Sequence, residues 1–189
     1  DRVVTISRAR FSVDYPASFM LVAAMNPCPC GYHNHPTKEC SCGSQNVQRY
    51  LNKVSGPLLD RIDLHIEVTP VNHDELMVRG TLGEKSNVIR ERVIKARLIQ
   101  YERFVHYDHM HCNAQMGSPE LRIFAGLNET SVEMLKTAMK RLNLSARAYD
   151  RILKVARTIA DLEASKEIET HHLAEAIQYR SLDRENWAG

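Results

Sequence analysis

The run Phe19-Met20-Leu21-Val22-Ala23-Ala24-Met25 is apolar at every position. Such a run reads as a central strand buried on both faces, as in a parallel sheet with helices on either side. A central strand also needs a neighbour along each edge, because its main-chain N–H and C=O groups must be paired. The chain supplies few candidates. Val3-Val4-Thr5-Ile6 is β-branched, and Phe11, Val13 and Tyr15 alternate with Ser12 and Asp14. With Arg8-Ala9-Arg10 between them, these runs predict a hairpin with two arginines near its tip. Leu64, Ile66 and Val68 alternate with His65 and Glu67 before Pro70, predicting one more strand. That is too few for a doubly covered sheet. The expectation is a fragment whose other strands lie N-terminal to Asp1 or come from another chain.

The apolar run stops at Asn26-Pro27, where proline removes a donor and fixes φ. Residues 27–45 form an irregular loop rich in Cys, Pro, Gly and His, followed by short helices expected over 46–54 and 58–61. Beyond Pro70 the pattern is helical. A helix is expected over 87–104 with Val88, Ile89, Val93, Ala96 and Ile99 on its apolar side, then a surface loop with His106, His109, His111 and Cys112. Helices follow over 129–142 and over 146–163. The second of these is capped by Ser145 and buries a stripe of Tyr149, Ile152, Leu153, Ala156, Ile159 and Ala160. Thr170 is expected to cap a last helix through Tyr179. Strands first and helices afterwards suggest two units, divided between 70 and 86.

With 43% hydrophobic and 25% charged residues and only 8 Gly and 7 Pro, the chain fits neither disorder nor a fibrous repeat. No apolar run approaches the ~20 residues of a membrane helix, and no basic-then-apolar leader opens the sequence. A soluble, cytoplasmic protein is expected. The formal net charge is only +2. It conceals a basic stretch (Lys136, Lys140, Arg141, Arg147, Arg151, Lys154 and Arg157, against Asp150) that suits either a polyanion or a solvated helix surface.

Four of the five cysteines crowd together as Cys28-Pro-Cys30-Gly31 and Cys40-Ser-Cys42-Gly43. Structural zinc takes four soft ligands at tetrahedral corners, and two cysteine pairs joined by a loop supply them. The spacing is tighter than the usual Cys-x-x-Cys, and His33 or His35 could replace one sulfur. Four reduced thiols or a redox pair are the alternatives, the latter disfavoured in a reducing compartment. Asn26, at the carboxyl end of a buried strand, stands where open α/β sheets place ligand-contacting groups; an Asn before Pro is equally a turn former. Arg61 lies between Asp60 and Asp63, which can simply balance it. Arg147 occupies a helix's first turn, where the dipole favours an anion beside it; an exposed arginine is the plainer reading.

Taken in order, Val3-Val-Thr-Ile-Ser-Arg8-Ala, Phe19 to Asn26-Pro-Cys-Pro-Cys-Gly31 and Ser55-Gly-Pro-Leu-Leu-Asp-Arg61-Ile-Asp-Leu-His-Ile-Glu67 resemble the magnesium-chelatase-like AAA+ ATPases, most closely their ComM/YifB subfamily. Leu144-Ser-Ala-Arg147-Ala-Tyr and the closing helices resemble that family's lid. The resemblance implies an α/β fold: the carboxyl part of an AAA+ P-loop core over 1–72, comprising hairpin, sensor-1 strand and last core strand. A linker with a long helix over 73–118 and an α-helical lid over 119–189 would follow. It implies ATP and Mg²⁺ as cofactors, but no Gly-x-x-x-x-Gly-Lys-Ser/Thr string and no apolar strand ending in paired acids is found here. This chain alone is therefore expected to be inactive as an ATPase. Asn26 resembles sensor 1, Arg61 an arginine finger acting on the neighbouring subunit's nucleotide, and Arg147 sensor 2. Arg8 and Arg10 occupy the hairpin that faces the pore in related motors, where they could touch DNA phosphate or remain solvated. The parent protein is expected to be a hexameric, DNA-directed translocase or helicase promoting branch migration. The alternatives are a magnesium-chelatase-type subunit driving metal insertion and a zinc-containing DNA-binding module with no enzymatic role.

Overall fold

The computed structural model describes residues 3–68, 70 and 83–180, and the expected division between 70 and 86 falls mainly outside them. Two compact units are present, Asp1–Val47 and Gln48–Gly189.

In the first unit, β1 (Val3–Arg8) and β2 (Phe11–Pro16) form an antiparallel hairpin in the register Val3↔Pro16 to Arg8↔Phe11, leaving Ala9-Arg10 as its loop. Alternation divides its faces. Thr5 donates to Asp14 at 2.6 Å and Ser7 pairs with Ser12 at 2.9 Å on one side; Val4, Ile6, Val13 and Tyr15 occupy the other, all exposed. Cross-strand pairs stabilise such a ribbon, yet two strands alone are marginal in water.

The expected strand over 19–25 is not formed. The backbone has no ladder partner there, and Met20 and Val22 are 87% and 80% exposed. The expected strand over 64–68 is likewise absent; Ile66 and Val68 are exposed and only His65 is buried. The reason is common to both. Apolar alternation states what a segment can bury, whereas a strand exists only where another segment pairs its main chain as a ladder. Among the described residues 19–25 has no such partner, and 64–68 has the single bond from His65 N to Tyr179 O in place of a ladder. The only sheet among the described residues is therefore the β1–β2 hairpin.

The helices are α1 (Ser44–Leu51), α2 (Gly56–Leu59), α3 (Ser86–Phe104), α4 (Ser118–Phe124), α5 (Glu129–Arg141), α6 (Ala146–Leu162) and α7 (Thr170–Gln178), with a 3₁₀ turn at Asn113–Gln115. Asn128 caps α5 and Ser145 caps α6 through side-chain oxygens that accept from Ser131 N and Ala148 N. The last helix is capped one residue earlier than expected. Glu169 is the N-cap, and its N–H donates to His172 Nδ1 at 2.9 Å.

The core of the second unit surrounds α6. Ile152, Ala156 and Ala160 are fully buried and Leu153 nearly so, packed with Phe104, Met116, Leu121, Leu135, Ile168 and Leu173. Tyr149, expected in this stripe, is 41% exposed, although Ala148 beside it is fully buried. Only the carboxyl half of α3 is docked, through Ala96, Gln100 and Phe104; Val88, Ile89 and Val93 remain exposed.

One buried polar network crosses this core. Asp161 accepts from Arg103 at 2.5 and 2.7 Å, from Arg157 Nε at 3.1 Å and from Asn113 Nδ2 at 2.7 Å. Arg157 also donates to Ser165 O and Lys166 O, which ties down the loop after α6. The single carboxylate, with Asn113 Oδ1 and the two main-chain oxygens, offsets part of the cost of burying two guanidinium groups. Burial, together with the Arg103 charge, still holds Arg157 below its ordinary value despite Asp161.

Candidate functional site

Within the first unit, the loop after Pro27 gathers four sulfurs. Cys28 Sγ lies 3.3 Å from Cys30 Sγ and 3.7 Å from Cys40 Sγ, and Cys30 Sγ lies 3.6 Å from Cys40 Sγ. With Cys42, the four ligand atoms all fall within 4.8 Å of one another. No S–S bond joins any of them. Gly31 makes the turn: its φ is +83°, in the left-handed region, and its N–H reaches back to Cys28 O at 3.0 Å. That turn aims main-chain donors at sulfur, His33 N at Cys28 Sγ (3.3 Å) and the Tyr32 main chain at Cys30.

The chemistry of the donor set fits zinc. A tetrahedron with Zn–S of about 2.3 Å has edges of about 3.8 Å, close to the observed spacings. The thiols also interfere with one another. The Tyr32 main-chain bond, opposed by burial, holds Cys30 down at about 5. The Cys42 main chain pulls Cys40 down too, but burial and thiol bonds to Cys30 and Cys28 outweigh it and push Cys40 up to about 12. Four thiolates cannot form together without a cation between them. His35 does not replace a sulfur: its Nδ1 accepts from Thr37 N and Lys38 N, and its ring meets Tyr32 edge-on. Nor is His33 in the cluster. Asn26 is exposed, two residues ahead of it, and Arg8 and Arg10 are exposed at the end of the hairpin.

Within the second unit, the acids flanking Arg61 do not balance it. Ser145 Oγ donates to Asp60 Oδ1 at 2.8 Å, Arg147 Nη1 lies 3.8 Å from Asp60 Oδ2, and Arg180 Nη2 lies 3.7 Å from Asp60 Oδ1. Asp63 accepts from Arg151. Arg61 is left exposed, donating only to Pro57 O at 2.7 Å, without an acid partner among the described residues. Arg147 is also accessible, its side chain 57% exposed.

The basic stretch 136–157 is thus not one cationic face. Arg147 and Arg151 face Asp60 and Asp63, Lys136 pairs with Glu133, and Arg157 is buried against Asp161. Sequence reasoning missed Asp60, Asp63, Arg151 and Arg180 as one constellation, since their partners lie 85 to 120 positions apart.

A second cluster of possible ligands, Glu163, His171 and His172, does not suit a metal. His172 Nδ1 accepts the Glu169 N–H, so its proton resides on Nε2, which faces Glu163 Oε2 at 3.0 Å. A cation at Nε2 would displace that proton and require one at Nδ1, breaking the helix cap. The cluster is a hydrogen-bonded fastening between the end of α6 and the start of α7. The bond to Glu163, helped by the Glu163, Glu169 and Glu175 charges, raises His171 above the ordinary histidine value against some burial. The bonds from His171 and His172 hold Glu163 below the ordinary carboxylate value. Protonated His171 is favoured by folding, so its stabilisation is complete below about 6.5 and is lost as pH rises through the raised value. That of Glu163 is present above about 4.5 and lost as pH falls through its lowered value. Melting curves from pH 6 to 9 should show a shallow fall in melting temperature that Glu163→Gln reduces, Glu169 at 3.6 Å keeping the rest. The fall is shallow because both groups are exposed. An equal fall in that variant would exclude the pair as its source.

No helix among the described residues is long and apolar enough to cross a membrane. The family model described as magnesium chelatase, subunit ChlI matches residues 1–76, and that described as magnesium chelatase, subunit ChlI C-terminal matches residues 83–180. The chain is 45% identical over 181 residues to competence protein ComM of Haemophilus influenzae, covering 96% of this chain and 34% of that protein. It is 41% identical to YifB of Escherichia coli and 39% identical to YifB of Salmonella typhimurium, with the same coverage. The chain thus spans about a third of the length of the curated relatives it matches.

Proposed function

Because the chain belongs to the magnesium-chelatase (ChlI) family, we propose that the full-length protein is an ATP-hydrolysing ring motor that translocates on DNA and promotes branch migration, with six subunits in the ring. The family supports an ATPase that uses ATP and Mg²⁺. The likeness to a protein named for competence supports DNA as the client. In this reading Arg61 is the finger offered to the neighbour's nucleotide, Arg147 contacts the terminal phosphate in its own subunit, and Asn26 orients the attacking water. Arg8 and Arg10 touch DNA phosphate. Residues 1–72 complete the core, 119–189 form the lid, and 73–118 link them. The Cys28, Cys30, Cys40 and Cys42 site holds structural zinc, whose four sulfur ligands leave no open position for catalysis.

The single observation that carries the reading is the state of Arg61. It is an exposed guanidinium whose two flanking acids are engaged by arginines of the helical unit. A planar cation left without a carboxylate suits a phosphate presented from elsewhere. ATP and Mg²⁺ fit the residues present only in part. Arg61 and Arg147 suit the phosphates, but the phosphate-cradling Gly-Lys-Ser/Thr string is not in this sequence. This chain by itself is then inactive toward ATP.

The test is ATP hydrolysis by the full-length protein, alone, with single-stranded DNA and with a porphyrin. Severalfold stimulation by DNA and none by porphyrin is expected. Stimulation by porphyrin alone would move the protein to metal insertion. Tight, salt-sensitive DNA binding by this chain alone, indifferent to nucleotide, would instead favour a zinc-containing binding module.

A further inference from the structure

The segment carrying Arg61 and the helix carrying Arg147 are fastened together at several points. Asp60 accepts from Ser145, the cap of α6, and faces Arg147 in the same turn; Asp63 binds Arg151 one turn further along. The end of α7 closes the same segment from another side. Tyr179 O accepts from His65 N at 2.8 Å, and Arg180, 1% exposed, donates to Ile62 O with its Nη2 3.5 Å from Asp60 O. His65 Nε2 lies 3.1 Å from Leu59 O, closing the turn on itself. Arg180 is buried, so its contacts are screened less than surface pairs, whereas the Asp63–Arg151 pair, with Asp63 54% exposed, lies at the surface.

The contacts are unequal. Only Ser145 hydrogen-bonds the Asp60 carboxylate, at Oδ1, whereas Arg180 and Arg147 stand 3.7 and 3.8 Å from its oxygens, too far for a hydrogen bond. Arg180 is held instead by main-chain oxygens of Ile62 and Asp60, and Arg147 by neither. A terminal phosphate could take Arg147 from Asp60 without releasing the segment.

We propose that Asp60 and Asp63 are positioning residues that make the Arg61 segment and the α6–α7 helices one moving body. A lid shifted by nucleotide at Arg147 then carries with it the finger that Arg61 offers to the next subunit. Nucleotide state in one subunit is thereby coupled to hydrolysis in its neighbour, the Arg147–Asp60 contact being the one that a bound phosphate would change. This inference rests on the reading of Arg61 and Arg147 given above.

The test uses the full-length protein with Asp63→Arg, Arg151→Asp and both together. Asp63–Arg151 is chosen because Asp60 has several partners. Each single reversal is expected to lower kcat by about 10–100-fold, the size of a small misplacement of a catalytic group, with KM for ATP within about twofold. The double reversal should restore kcat to within about threefold, as a cycle on a direct contact requires. Wild-type kcat in the folded single variants, or no recovery in the double, overturns the proposal. If the reversals fail to fold, Asp63→Asn replaces them. A lowered kcat at unchanged KM supports the proposal, and a lowered melting temperature at unchanged kcat overturns it. A wild-type protein that hydrolyses no ATP would refute the roles of Arg61 and Arg147, and this inference with them. A wild-type protein that hydrolyses ATP, with reversals that leave kcat alone, would refute the clamp only.

Discussion

Full-length protein carrying Arg61→Ala should hydrolyse ATP about 10³–10⁵-fold more slowly than wild type while binding ATP almost as well. The magnitude is that of an arginine finger, which meets charge developing on the transferred phosphoryl group and contributes little to the ground state. It corresponds to roughly 4–7 kcal/mol of barrier. Misfolding is a poor rival explanation. Arg61 is exposed and its side chain donates to Pro57 O in the short helix just before it, whereas the side-chain contacts that fix this segment belong to Asp60, Asp63, His65 and Arg180. Arg61→Lys should recover only part of the loss, since the ammonium keeps the charge but lacks the planar fork. Steady-state turnover with a separate nucleotide-binding titration decides the matter. If Arg61 serves the neighbour's nucleotide as proposed, Arg61→Ala subunits mixed with subunits unable to bind ATP should regain some turnover at mixed interfaces. Full turnover in Arg61→Ala would remove this residue from the role.

The helical half was legible because its signals are local. The Ser145 cap and the spacing of Ile152, Leu153, Ala156 and Ala160 located α6 and its buried face. Helix α4 went unrecognised although its start was written in Gly117-Ser118-Pro119-Glu120, with Pro in the first turn and Glu120 Oε2 accepting the Gly117 N–H at 2.7 Å. What local pattern does not carry is long-range charge pairing. Arg157 reads as one more cation on a basic surface. Its partner Asp161 is one turn away on the same helix, but the contact that draws Asp161 into a buried network comes from Arg103, 58 positions before it. Asp60 and Asp63 read as neutralising Arg61 beside them, yet folding assigns them to Arg147, Arg151 and Arg180. The apolar runs over 19–25 and 64–68 show a third kind of gap. Their composition records a demand for sheet neighbours, and the described residues do not meet it.

Purified chain should contain one zinc ion, and Cys28→Ser should lose it. The loop has little else to fold around: Cys28 is fully buried, but Tyr32 is 38% exposed and the other three sulfurs are only partly covered. Apolar burial on that scale cannot offset the conformational entropy of fixing some fifteen residues at about 1–2 kcal/mol each. Zinc at a four-thiolate site supplies about 10–16 kcal/mol of apparent binding free energy at neutral pH, enough to decide whether the loop is ordered. Cys28 is the most damaging position to change, because it is the one fully buried sulfur of the four, approaches both Cys30 and Cys40, and accepts the His33 N–H. A hydroxyl there is a harder, weaker ligand with no comparable tendency to ionise. Metal analysis of wild type and variant is the first measurement. Limited proteolysis is the second: cleavage within residues 28–43 should be slow in wild type and fast in Cys28→Ser or after a strong chelator, while the helical unit stays resistant. Wild-type chain purified under reducing conditions without metal, and with the loop equally resistant to protease, would leave four reduced thiols as the correct description of this cluster.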